Sequence, residues 1–197
     1  MGTLSQAKTL GGVGSILLLL GIVPFAGPAL EIVGFVLMLI AVKYISDTVN
    51  NKSIFNNAVI SVVAGIAGVV IGVVVGIAGV LSFFGPGMFQ GPDFMPGRQF
   101  QPSDFMSMNF FGPIIAGLVI IWIAVIISAV FLRKSFNSIA SSINVKMFGT
   151  AALLYLIGAI LVVVLVGFLL IFVATILQIV AFFSIPENPP QATPPTA

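Results

Sequence analysis

Two side chains mark where membrane chemistry would have to start. Glu31 is the one carboxylate set inside an apolar block of the chain, and Gln178 is the one amide in the last apolar stretch. A carboxylate in low dielectric can hold a proton or a cation, and an amide can both donate and accept inside a bundle. Each has a plainer reading, and the plainer one is preferred. Glu31 follows Pro28 closely, at the start of an expected helix near the outer interface, where the helix dipole favours negative charge. Gln178, near Thr175, is expected to make an interhelical hydrogen bond, a contact that averages about 0.6 kcal/mol in measured cases.

Other chemistries are excluded by residue type. The chain has no His and no Cys, so His general bases, thiolate nucleophiles and His- or thiolate-ligated metals are absent. No cofactor is expected. A repeated unit, Asp93-Phe94-Met95 and Asp104-Phe105-Met106, together with Met88 and Met108, supplies thioethers of the kind that select Cu(I). Phe89, Phe94, Phe100, Phe105, Phe110 and Phe111 interleave with them. An apolar loop settling on headgroups is the simpler account. The Asn51-Lys52-Ser53 acceptor pattern falls on the side where it would be idle.

The elements that must position these residues are helices in a membrane. Only 6% of residues are charged, 59% are hydrophobic and the mean hydropathy is +1.26. A soluble domain carries about 25% charged residues. A span needs ~20 apolar residues. The pattern predicts spans over 10–24, 29–44, 58–84, 113–132, 149–164 and 168–185, within one integral membrane domain, 1–185. Pro24, Gly27 and Pro28 break the first pair. As one helix, 150–183 would be ~51 Å long at about 1.5 Å per residue, against a hydrocarbon core of ~30 Å. It is therefore divided near Val164–Gly167, although no proline or polar turn marks the place. The fold class is all-α, a polytopic transmembrane helical bundle of six spans, or five if that stretch is undivided. Residues 85–112 read as an external loop and 186–197, rich in proline, as a disordered tail.

Small residues recur at spacings of three and four in the third span: Ser61, Gly65, Gly68, Gly72, Gly76 and Gly79. On one helix face they let another backbone approach closely. Packing within the chain is the first reading and self-association through the same face the second. Residues 133–147 place Phe136, Ile139, Ala140, Ile143 and Met147 on one face opposite Ser, Asn and Lys. That pattern resembles a helix lying on the membrane surface, or an elbow between spans. Arg133, Lys134 and Lys146 would attract anionic lipid at about 1 kcal/mol each.

Lys8, Lys43, Lys52, Arg133, Lys134 and Lys146 fall at alternate ends of the spans, which predicts a cytoplasmic N-terminus and an external 85–112 loop. The net charge of +2 is too small to suggest nucleic acid. The bilayer is the expected partner.

Two blocks carry a resemblance. The run from Gly11 to Asp47, GGVGSILLLLGIVPFAGPALEIVGFVLMLIAVKYISD, the short SIF at Ser53–Phe55, and the run from Leu153 to Pro186 resemble the opening and close of the mainly archaeal family called domain of unknown function 996. The resemblance implies an integral membrane protein and supplies no catalytic residues. With no acid–base or nucleophile cluster inside the spans, a non-enzymatic scaffold or envelope component is the leading expectation. A small transporter or channel is the alternative.

Overall fold

The computed structural model describes residues 3–84 and 108–187. Among them every regular element is a helix: α1 (Leu4–Leu19), α2 (Gly27–Thr48), α3 (Lys52–Phe84), α4 (Met108–Ile143), α5 (Met147–Leu161) and α6 (Val166–Phe183), with 3-10 turns at Leu20–Ile22 and Val162–Val164. Five helical segments are long and apolar enough to cross a membrane: Ala29–Thr48, Lys52–Ser82, Phe111–Ile143, Met147–Val164 and Val166–Phe183. The Asp-Phe-Met repeat, Arg98, most of the expected external loop and the proline-rich tail beyond Glu187 lie outside the described residues.

Local chemistry sets the ends. Thr3 caps α1 in a capping box: the Gln6 N–H donates to Thr3 Oγ1 at 3.3 Å and the Thr3 N–H to Gln6 Oε1 at 3.1 Å. Each satisfies a donor that a helix start would otherwise leave free. The α2–α3 and α4–α5 turns pass through Asn50 (φ 51) and Asn144 (φ 56). Asn tolerates the left-handed region, which costs other L-residues about 1–2 kcal/mol. The α1–α2 and α5–α6 turns pass through Phe25 (φ 66) and Leu165 (φ 61) instead.

The break in the last apolar stretch comes at Val162–Leu165, where a 3-10 turn ends on left-handed Leu165. Two expectations change. The polar stretch after 132 is not a separate surface helix. It continues α4 without interruption to Ile143, and Phe136, Ile139 and Ile143 are buried in protein. Its apolar face found partners in α5 and α6, so it has no need of lipid there. Similarly, the helices around the Asn-rich linker run on to Thr48 and resume at Lys52, leaving a short turn closed by Ser46 Oγ donating to the Asn51 carbonyl at 2.8 Å.

The chain divides into two compact units, Met1–Val63 with Ile126–Ala197, and Ala64–Val125. The first holds the core: Leu4, Ala7, Met38, Val42, Ile45, Ile54, Phe136, Ile139, Ile143, Phe148, Phe182 and Ile185 among others. Phe136, Phe148 and Phe182, from α4, α5 and α6, meet edge to face with ring centroids 5.4, 6.5 and 5.0 Å apart. The second unit is a helix pair from α3 and α4.

Candidate functional site

Two buried polar groups of the first unit, Gln178 and Ser15, meet where α1, α2 and α6 come together. Gln178 is 3% exposed and Ser15 fully buried. Gln178 Nε2 donates to Ser15 Oγ at 2.8 Å and lies 3.2 Å from Met38 Sδ, while Ser15 Oγ donates to the Gly11 carbonyl at 2.8 Å. The hydroxyl thus accepts from one helix and donates within its own. Thr175 does not join them; its hydroxyl donates to the Ile171 carbonyl of its own helix at 2.9 Å.

Close backbone approach makes this junction possible. A Cβ on Gly14 would lie 2.8 Å from the Gly34 carbonyl oxygen, and one on Gly34 would lie 2.7 Å from that of Gly14. Gly11 faces the Phe182 ring in the same way. Only glycines permit α1 to sit this close to α2 and α6. Sequence reasoning weighed the glycines of the third span and missed Gly14, Gly34, Ser15 and Met38. The available signal was the small residues Gly11, Gly14 and Ser15, three and four apart on α1, with Gly34 as the small residue of α2 that meets Gly14.

Serines tie further pairs of helices. Ser61 Oγ donates to the Ser128 carbonyl at 2.8 Å, and Ser135 Oγ to the Ile54 carbonyl at 2.8 Å. Among the described residues no buried side-chain nitrogen or oxygen lacks a partner.

Glu31 sits apart from this cluster. It is exposed, beside Gly21 of the preceding turn. Helix α2 begins at Gly27, so Glu31 is past its first turn, and two donors there are engaged: the Gly27 N–H bonds the Val23 carbonyl at 2.8 Å and the Leu30 N–H bonds that of Ala26 at 3.1 Å. The expected capping role is therefore weakened, because the dipole effect fades beyond the first turn. Lys43 and Asp47 pair at 2.6 Å on the exposed face of α2.

In the second unit, a Cβ on Gly72 would lie 2.6 Å from the Gly117 carbonyl oxygen and 2.5 Å from Ile121 Cγ1. Gly68 faces Ala124 and Gly79 faces Pro113, while Gly65 is half-buried. At Gly76 an added Cβ would meet nothing within 4 Å. Gly76 instead lines an apolar groove of about 360 Å³ with Ile77, Leu81, Gly117, Leu118 and Ile121.

Among the described residues no three His, Cys, Asp or Glu side chains gather as a metal site would require. A chain whose described elements are all helices, several of them long and apolar enough to cross a bilayer, has the architecture of a polytopic membrane protein. The chain belongs to the family described as protein of unknown function (DUF996), whose profile matches residues 30–176. It is similar to "Uncharacterized protein MJ1644" of Methanocaldococcus jannaschii, at 34% identity over 186 residues that cover 94% of each chain. No solved structure matches it.

Proposed function

We propose that the protein is a non-enzymatic scaffold or envelope component of the membrane, with its N-terminus in the cytoplasm. The observation that carries this reading is the engagement of Gln178. A transporter keeps polar groups near the midplane to bind its cargo, usually at broken helices. Here the amide of Gln178 is held by Ser15 and Met38. Water or an ion would have to part three closely packed helices to reach it. The orientation is supported by the cations at Lys8, Lys43, Lys52, Arg133, Lys134 and Lys146.

Ser15→Cys in a chain without cysteine tests the dry interior. In sealed proteoliposomes, membrane-impermeant maleimides added from either side should leave this position unmodified while modifying Cys placed at exposed Ser141. Modification at 15 would reveal a hydrated path and promote a small transporter or channel. That second reading draws on Glu31, a carboxylate with no hydrogen bond or ion pair among the described residues. Self-association is supported by the apolar groove along Gly76 and is read by the mass of the detergent-solubilised particle.

A further inference from the structure

We propose that α5 and α6 form a re-entrant hairpin. It enters the bilayer at the end that carries the Asn turns, and its own turn, 162–166, rests among acyl chains short of the opposite headgroups. The proposal rests on the membrane reading given above, and the experiment below separates the two.

Turn chemistry is the first observation. The turns at Asn50 and Asn144 use the residue that a left-handed backbone favours in water. The α5–α6 turn places Leu165 there, 74% exposed, between Val162, Val163, Val164 and Val166. From Leu156 to Ala174 no side chain carries a hydrogen-bonding atom. A strained backbone that forgoes Asn or Gly for a branched aliphatic is suited to hydrocarbon and has nothing to offer water or headgroups.

Depth is the second and independent observation. On α4 the polar boundary falls at Arg133, because Lys134, Asn137 and Ser141 beyond it are exposed. A Cβ on Gly149 of α5 would lie 3.2 Å from Asn137 Oδ1 and 3.9 Å from Ala140 Cβ. The start of α5 therefore runs beside the polar end of α4, outside the hydrocarbon. Counting about 1.5 Å per helical residue and ~2.0 Å per 3-10 residue, the turn reaches ~14 Å past the level of Arg133 along α5 with Gly149 level with Ala140, and ~18 Å with it level with Asn137. Along α6, aligned by the Phe136–Phe182 ring contact, the same count gives ~20 Å. Helix tilt shortens both. The hydrocarbon is ~30 Å thick. Both arms are apolar enough to span, yet part of each is spent on the core below the boundary.

Unpaired backbone is costly in lipid, and two bonds pair part of this turn. The Leu165 N–H donates to the Val162 carbonyl and the Phe168 N–H to the Leu165 carbonyl, each at 3.1 Å. Gly158 and Gly167 bring the arms together below the turn. The α1–α2 turn contains Pro24 and Gly27 and is followed by Glu31. It lacks this all-aliphatic surface.

Single-cysteine variants Leu165→Cys, Val70→Cys on exposed α3 and Ser141→Cys, each spin-labelled in proteoliposomes, test the hairpin by collision with oxygen and with a water-soluble nickel chelate. The expected result is a several-fold higher oxygen-to-nickel ratio at 165 than at 141, comparable with that at 70. Nickel access at 165 equal to that at 141 would put the turn at the far aqueous boundary and overturn the hairpin while leaving the membrane reading intact. Nickel access at 70 as well would overturn both. Val164→Cys reads the same depth if Leu165→Cys does not fold.

Discussion

Both units contain glycine seams, Gly14–Gly34 and Gly158–Gly167 in the first and Gly72–Gly117 in the second, and they differ in what surrounds the seam. In the first, bulk closes the contact: three phenylalanine rings meet edge to face, and Gln178, Ser61 and Ser135 reach between helices. In the second, absence closes it: Gly72 and Gly117 bring the α3 and α4 backbones together, with the Ile121 side chain packed on Gly72. Side chains there, such as Val70, Val74 and Leu118, point away from protein. The same lipid-soluble composition thus yields a filled core beside its glycine seams in one place and a glycine seam without such a core in the other. The ring core should fail when volume is removed, and the glycine seams when volume is added.

The largest effect should follow truncation of the ring cluster. Phe148→Ala removes the ring shared by the other two, and buried Phe→Ala changes cost about 3–5 kcal/mol. Thermal unfolding in detergent should show a large fall in Tm. A fall no greater than that of an exposed control such as Phe168→Ala would show that the rings are not a packed core.

Gly72→Leu is the converse experiment in the helix pair. Overpacking costs ~1–3 kcal/mol, occasionally more, and the upper end is expected because the Gly117 backbone cannot swing aside. Gly76→Leu, four residues along the same stripe but facing the open groove, should cost much less, as should Val74→Leu on the exposed side. Equal losses at 72 and 76 would mean that the spacing of the glycines matters and their contacts do not.

Gln178→Leu should be mild despite its full burial. Membrane interhelical hydrogen bonds average about 0.6 kcal/mol and reach ~1.7 kcal/mol. Ser15 keeps its own bond to the Gly11 carbonyl when the amide is gone. A loss on the scale of Phe148→Ala would mark Gln178 as the keystone of the first unit and make bulk secondary there.

The same contrast explains what was legible in the sequence. Helix-forming blocks were, because apolar length against bilayer thickness is a one-dimensional property. The length argument placed a break near 164–167 and the chain turns at Val162–Leu165, though no turn residue announces it. The fate of the 133–143 face was not legible. Phe136, Ile139 and Ile143 have the spacing of a surface helix, and periodicity cannot say whether lipid or protein covers them. The Gln178 partner was also hidden, since Ser15 lies far away in sequence and looks like any small residue on α1. Gly76 shows the limit of a stripe: spacing assigns a face, but where two helices diverge is set by their crossing.

The smallest effect is expected at Glu31, and it bears on how closed the first unit is. Its carboxylate is exposed and makes no hydrogen bond or ion pair among the described residues, so Glu31→Gln removes charge without breaking either. Surface changes of this kind usually stay within about 0.5 kcal/mol. The variant should match wild type in thermal unfolding at low and high salt alike. A clear loss, or a loss that depends on salt, would mean that Glu31 engages a cation or a second copy of the chain. Either result would connect the exposed carboxylate to function and move it from the exterior of a filled core to the edge of an open path. The transporter reading would then gain the polar anchor that Gln178, held between Ser15 and Met38, does not provide.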